Sequence, residues 1–438
     1  MKDTPINLNI VKTKIEQSKL PAVGKASIRE IKRLIDNIET ESGQKFVRME
    51  MGVPGIPASK IGVEAQKAAL DRGVAAIYPD IDGVPVLKNE ISRFVKLFLN
   101  TDVNPVNCIP TVGSMQGCFA AFMTVSRLYP EKDTILFMDP GFPVHKLQCK
   151  VLGVNHDSFD VYNYRGEKLR EKLESIYQKG NIAAVLFSNP NNPSWICFTE
   201  NELQIIADLS IKYNVVVLED LAYFGMDFRK DYSKPGVEPY QPSISKYTDN
   251  YILFISSSKA FSYAGERIGM MVISDKLFQS QAPGLLRYYN SDVFGRAMIF
   301  GTVYSLSSGT SHSSQYALAA ILKAANDGIY DFRHDVMEYG EKAKIMKKYF
   351  TDNGFHIVYD KDENDPIADG FYFTFSYPGF SGEQLLEELL YYGISAISLS
   401  ITGSEKVEGM RACVSLVNRN QFPDLEYRLQ KFNEHHKR

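Results

Sequence analysis

Ser256-Ser257-Ser258-Lys259-Ala260-Phe261-Ser262-Tyr263-Ala264-Gly265-Glu266-Arg267-Ile268-Gly269 is the stretch on which the reading of the fold turns. It follows the apolar run Tyr251–Ile255 and precedes a second, Ile268–Ile273, both of the length of buried strands. A lysine and an arginine eight residues apart, with hydroxyls just before the lysine, therefore sit on a connection between two core strands. On a surface turn they would be two solvated charges, as most lysines are. Facing a cleft, Lys259 is a candidate Schiff-base lysine, and Ser256 with Arg267 a candidate phosphate site. A primary amine condenses with an aldehyde, and desolvation or a neighbouring cation lowers its pKa enough for it to do so.

The whole chain sets the bounds for that choice. Its 438 residues suit two domains or one large α/β unit. An apolar content of 44% and a charged content of 23% are those of a soluble globular enzyme. A net charge of −3 gives no basic footprint for nucleic acid, and interspersed charges give no membrane attraction. No apolar run reaches the roughly 18 residues that span a bilayer, and Met1–Pro5 starts no signal peptide. The five cysteines, Cys108, Cys118, Cys149, Cys197 and Cys413, are scattered and odd in number, which points to reduced thiols in a cytoplasm. The seven histidines have no ligand spacing, so no metal is expected.

Residues 1–45 are polar and helix-leaning; Ile28, Ile31, Leu34, Ile35 and Ile38 form one stripe, as in a packing arm rather than a site. Phe46–Met51 is extended and runs into Gly52-Val53-Pro54-Gly55-Ile56-Pro57, an irregular loop where Gly52 would let backbone approach a ligand. The helix Gly62–Arg72 leads to Tyr78 and Gly83. Ile109–Gly117 opens another helix, with Ser114 as its N-cap and its first free N–H groups placed to bind an anion.

From there the chain alternates between strand and helix. Ile135–Met138 ends in Asp139-Pro140-Gly141-Phe142; Ala183–Phe187 ends in Ser188-Asn189-Pro190-Asn191-Asn192-Pro193; Val215–Leu218 ends in Glu219-Asp220-Leu221-Ala222-Tyr223. Such continuous runs of Val, Ile, Leu and Phe are strands covered on both faces, and their alternation with helices such as Glu200–Tyr213 makes a mostly parallel sheet. Every polar cluster falls just past a strand, the edge where an open α/β sheet binds its ligand. After about residue 328 the pattern changes to helices with short strands at Phe371–Phe375 and Met410–Val417, a smaller α+β unit.

Asn189-Pro190-Asn191-Asn192-Pro193, Asp220-Leu221-Ala222-Tyr223 and Ser256-Ser257-Ser258-Lys259 with Arg267, in that order, resemble the class I/II aminotransferase family, the pyridoxal-phosphate enzymes of fold type I. The resemblance runs from about Gly52 to Arg411. It implies a large cofactor-binding domain at 52–327 and a small domain made of 1–51 and 328–438. It also implies an activity: moving an amino group between an L-amino acid and a 2-oxo acid in a ping-pong cycle.

By the same resemblance Lys259 bonds the aldehyde of pyridoxal 5′-phosphate and shuttles the proton, and Asp220 pairs with the pyridine nitrogen. Tyr223 and Asn192 hydrogen-bond the 3′ oxygen, and Phe142 stacks on the ring where the family more often has Tyr or Trp. Ser114, Met115, Ser256 and Arg267 hold the phosphate; Tyr78 reaches the phosphate of a second subunit, which requires a homodimer with shared sites. Arg411 clamps the substrate α-carboxylate, with backbone help from Gly52.

The sequence departs from the family at four places. Trp195 stands where the family has glycine, so that loop differs locally or leaves the indole in the pocket mouth. Tyr78 is followed by Pro79-Asp80. Glu266 precedes Arg267, and strand alternation would point the two apart. Arg287 and Arg296 are the only candidates for a second substrate arginine, which disfavours a dedicated aspartate enzyme, while the aromatics of 285–304 allow an apolar amino acid. The same constellation serves carbon–sulfur lyases and aminocyclopropane-carboxylate synthase-like enzymes. A cofactor-binding regulator is a remoter reading, since only about 45 residues precede the match and they are at most mildly basic.

Overall fold

The computed structural model describes residues 3–437. Seven runs form one sheet: β1 (Cys108–Thr111), β2 (Thr134–Asp139), β3 (Asn155–Asp160), β4 (Ile182–Ser188), β5 (Val216–Leu221), β6 (Tyr251–Ser256) and β7 (Gly269–Ile273). Their order across the sheet is β1-β7-β6-β5-β4-β2-β3. Pairing is parallel from β6 to β3, and β7 runs antiparallel to both of its neighbours. Six of the strands are buried end to end, as their unbroken apolar sequences require. The exception is β3, Asn-His-Asp-Ser-Phe-Asp, whose first half is exposed. A polar strand at a sheet edge resists pairing with other chains, and for the same reason it leaves no apolar run to read.

Helices cover both faces. Gly113–Val125 follows β1, Pro143–Leu152 follows β2, and Glu200–Tyr213, with a Thr199/Glu202 capping box, follows β4. After β3 the chain crosses back past β2 to lay down β4, so the connections leaving β2 and β4 run to opposite sides. A crevice opens there at the carboxyl ends of the strands.

A second, antiparallel sheet follows in the order β10-β11-β9-β8: β8 (His356–Ile357), β9 (Tyr372–Ser376), β10 (Ile397–Ser398) and β11 (Met410–Cys413). The N-terminal arm is stitched to this part. Val47–Arg48 pairs in parallel with Ile394–Ser395, and Arg428 donates to the carbonyls of Lys45 and Gly393.

Ser114 is not the N-cap that the sequence suggests. The helix begins two residues earlier than that cap implies, at Gly113, with Val112 in the cap position. Gln116 turns back to accept from the Val112 N–H, which does part of the work of a cap. Gly113 has a left-handed backbone (φ 66°), and Ser114 and Met115 keep their N–H groups in the open first turn.

Trp195 does not fill the pocket mouth. It adopts the left-handed backbone that suits glycine (φ 66°) and turns its indole inward, 1% exposed. The ring packs edge-on against Tyr223 and Tyr372, at centroid distances of 5.4 and 6.1 Å, and over Gly370. A left-handed L-residue costs about 1–2 kcal/mol, whereas burying an indole is worth about 4–6 kcal/mol, so burial wins. A Cβ at Gly370 would lie 1.9 Å from the indole, so the two positions are complementary. We expect Gly370→Ala to cost about 2 kcal/mol or more and Trp195→Gly about 3–5 kcal/mol in denaturant unfolding. The double variant should cost clearly less than the sum, because the new methyl enters the space the indole leaves; strict additivity would contradict this packing.

Candidate active site

The crevice is a cleft of about 780 Å³ between the two sheets. Eleven of the twelve residues singled out from the sequence line it: Gly52, Ser114, Met115, Phe142, Asn192, Asp220, Tyr223, Ser256, Lys259, Arg267 and Arg411. Tyr78 does not. It is 92% exposed and lines a separate groove beside Ile77 and His312. Arg287 and Arg296 line no part of the cleft; their guanidinium groups lie over Tyr288 and Phe300.

Lys259 sits in the single turn Ser257–Ala260 that β6 runs into. Desolvation holds its ammonium below the usual lysine range, and Arg267 and Arg411 push the same way, against Cys413 and Asp220. Such an amine carries more of the neutral, nucleophilic form. Asp220, on β5 and 7% exposed, is pushed up to about 6 by burial; the Ala222 N–H and Lys259 pull the other way. It has no ion-pair partner within 4 Å among the described residues, so it is a carboxylate set to meet a cationic ligand atom.

At one end of the cleft lies an anion cup. Arg267 adopts a left-handed backbone (φ 53°) after the turn Ala264–Glu266, and its Nη1 donates to the Ala264 carbonyl at 2.8 Å. A Cβ on Gly113 would come within 2.7 Å of its Nη2, so glycine is needed to bring the guanidinium over the helix N-terminus. Gly269 likewise admits no side chain, because its Cβ would be 2.8 Å from the Ser114 nitrogen. Glu266 leaves Arg267 free by pairing with Gln66 and Ser314; a turn, not the strand alternation read from the sequence, separates the two charges.

At the other end Arg411, on β11, is 2% exposed and has no carboxylate partner. Its Nη2 donates to the Glu50 carbonyl at 2.5 Å and its Nη1 to Asn192 Oδ1 at 3.4 Å, while Nε has no partner. The Tyr372 ring lies under the guanidinium, 4.5 Å from its centroid. Tyr372 also bonds the Tyr223 hydroxyl at 2.7 Å. From sequence Tyr372 was one aromatic in an alternating strand, and nothing in that pattern set it apart. The N-terminal arm also does more than pack, since Lys25 and Arg29 line the mouth of the cleft. His145, beside Phe142, is buried and held neutral, pushed down to about 4.

These groups fit pyridoxal phosphate. The cup suits a phosphate, Phe142 borders the space between cup and Arg411, and Asp220 suits a protonated ring nitrogen. The orphaned Arg411 Nε suits a carboxylate oxygen beyond it. Among the described residues no cluster of His, Cys, Asp and Glu could hold a metal ion, and no helix is long and apolar enough to cross a membrane.

Comparison with known proteins agrees. Residues 54–415 match the family model described as aminotransferase class I and II. A probable aspartate aminotransferase of Methanocaldococcus jannaschii is 27% identical over 322 residues, 72% of this chain and 79% of that protein. From the same organism, a (5-formylfuran-3-yl)methyl phosphate transaminase is 24% identical over 93% of this chain and 95% of its own. Among solved structures, an aminotransferase from Mycobacterium tuberculosis shares the fold with a TM-score of 0.75 at 16% identity, covering 96% of this chain and 97% of that one.

The electrostatics of Asp220 are open to direct test. Folded, it titrates near 6, and unfolded it titrates near 4. Between those values the cofactor-free folded chain binds more protons than the unfolded one, so its stability falls as pH rises. Asp220→Asn removes that cost. We expect it to raise the melting temperature of the cofactor-free protein by a few degrees at pH 8, with the gain vanishing as pH falls from 6 to 4. A gain independent of pH would contradict a buried, uncompensated carboxylate.

Proposed function

The chain belongs to the class I and II aminotransferase family, and we propose that it uses pyridoxal phosphate to move an amino group between an L-amino acid and a 2-oxo acid. One observation carries this reading: a desolvated lysine facing a buried carboxylate, between an arginine over a helix N-terminus and an arginine buried without an acid partner. When bound, the cofactor supplies a carbonyl that condenses with amines and a ring that accepts the electrons released at the substrate Cα.

Each residue then has a task. Arg411, with the backbone at Gly52, binds the α-carboxylate and so fixes the direction in which the Cα–H bond points. Lys259, neutral in part, takes and returns the Cα proton. Asp220 keeps the pyridine nitrogen protonated; Tyr223 and Asn192 hold the 3′ oxygen; Ser114, Met115, Ser256 and Arg267 anchor the phosphate. Because Lys259 belongs to the 52–327 domain and Arg411 to the domain of 1–51 and 328–438, substrate binding draws the two together and excludes water. The exposure of Tyr78 and Ile77 supports a homodimer in which Tyr78 completes the partner's phosphate site. Five buried free cysteines support a reducing, cytoplasmic setting.

The mouth of the cleft supports a donor with a second anionic group. Lys25 and Arg29 are exposed there, and their side chains have no hydrogen-bond or ion-pair partner among the described residues. Glu30, which also lines the cleft, accepts from the Ser27 N–H at 2.7 Å. Two similar proteins are named for an aspartate and for a phosphate substrate, both anionic away from the reacting centre.

A half-reaction screen tests this. Single amino acids are added to holoenzyme, and loss of the visible absorption band is followed together with 2-oxo acid release. Aspartate or glutamate should bleach the band at least about tenfold more efficiently than leucine, and Lys25→Ala/Arg29→Ala should erase that preference. Release of ammonia and pyruvate with the band regenerated would indicate a lyase instead. An undiminished acidic preference in the double variant would remove the arm from substrate selection.

A further inference from the structure

We infer that Tyr372 is a positioning residue for the reaction: its hydroxyl donates to the Tyr223 hydroxyl and thereby fixes Tyr223 as a donor toward the 3′ oxygen of the cofactor. The inference rests on the reading of Tyr223 given above and adds a group to it. The two phenol oxygens are 2.7 Å apart, both rings line the cleft, and both are nearly sealed from solvent. Each hydroxyl has one proton, and the other phenol is its only hydrogen-bond partner among the described residues. Once Tyr223 gives its proton to a ligand oxygen, Tyr372 has to supply the proton between the two. The pair is then a directed chain, Tyr372 O–H to Tyr223 O–H to ligand oxygen, and each link strengthens the next.

The position of Tyr372 is over-determined. Its ring supports the Arg411 guanidinium at 4.5 Å and meets Trp195 edge-on. Its hydroxyl occupies the space that a Cβ on Gly52 would need, 2.0 Å away. Ring and hydroxyl are therefore held in place, with the Tyr372 oxygen against that of Tyr223. Arg411 and Cys413 are the other titratable groups facing the pair, and burial pushes both phenols up, so both stay protonated across the working range. Tyr372 thus links the group that holds the substrate carboxylate to the group that tunes the cofactor oxygen.

The test is the pH midpoint of the visible absorption band of holoenzyme, which reports the proton on the lysine–cofactor linkage. A donor to the adjacent oxygen offsets negative charge there and lowers that midpoint. Tyr372→Phe keeps the ring under Arg411 and against Trp195 and removes only the oxygen. It should raise the midpoint by roughly 0.3–0.5 unit. Tyr223→Phe should raise it by about 1 unit or more, and Tyr223→Phe/Tyr372→Phe should match Tyr223→Phe alone, because Tyr372 acts only through Tyr223. A merely space-filling Tyr372 predicts no shift in Tyr372→Phe, and additive shifts would mean that it acts independently; either result overturns the inference. If Tyr223→Phe itself shifts nothing, the reading of Tyr223 fails and this inference with it.

Discussion

A guanidinium buried without a carboxylate is the constraint around which the cleft is built. Removing an arginine from water costs several kcal/mol unless an anion or a full set of acceptors replaces the solvent. Arg411 is given one carbonyl, one amide oxygen and one aromatic face, and its Nε is left over. In the proposed function a substrate α-carboxylate would close that deficit. The second sheet brings Arg411 to the edge of the first, where Lys259 and Asp220 wait at the ends of β6 and β5. Asp220 repeats the logic with the opposite sign, a buried carboxylate on which Lys259 pulls without forming an ion pair within 4 Å among the described residues. Both groups are costly alone; in the proposed function the substrate carboxylate would relieve the first and the cofactor ring nitrogen the second. The cleft trades stability of the empty fold for affinity and orientation.

Aromatic packing gives that arrangement its rigidity. Trp195 takes a backbone conformation that favours glycine, and the burial of its ring more than offsets the strain. It walls in Tyr223 and Tyr372, and Tyr372 in turn supports Arg411. Gly370 and Gly52 exist as the absent side chains that let these rings approach. A substitution that looks disruptive in one position is thus absorbed by glycine elsewhere, without opening the pocket.

Much of this was legible in the sequence because the parallel strands are buried on both faces. Their apolar runs end at the polar residues of the cleft: Asp220 among the last residues of β5, and Asn192 and Lys259 just past β4 and β6. The edge strand Asn155–Asp160 was invisible because half of it faces water. The helix start at Gly113 was placed two residues late because serine is the better cap by propensity, while Gln116 accepts from the Val112 N–H here. Tyr372, Lys25 and Arg29 could not be found from local pattern. They reach the cleft only through the second sheet and the arm, over hundreds of residues of sequence separation. Tyr78 lies outside the cleft, in a separate groove.

The most direct measurement is to reduce the holoenzyme with borohydride, digest it, and locate the cofactor-modified peptide by mass spectrometry. The adduct is expected on Lys259 alone, the amine that burial and two neighbouring guanidinium groups hold below the usual lysine range. An adduct on any other lysine, or none on a protein that binds the cofactor, would contradict the assignment on which the site rests.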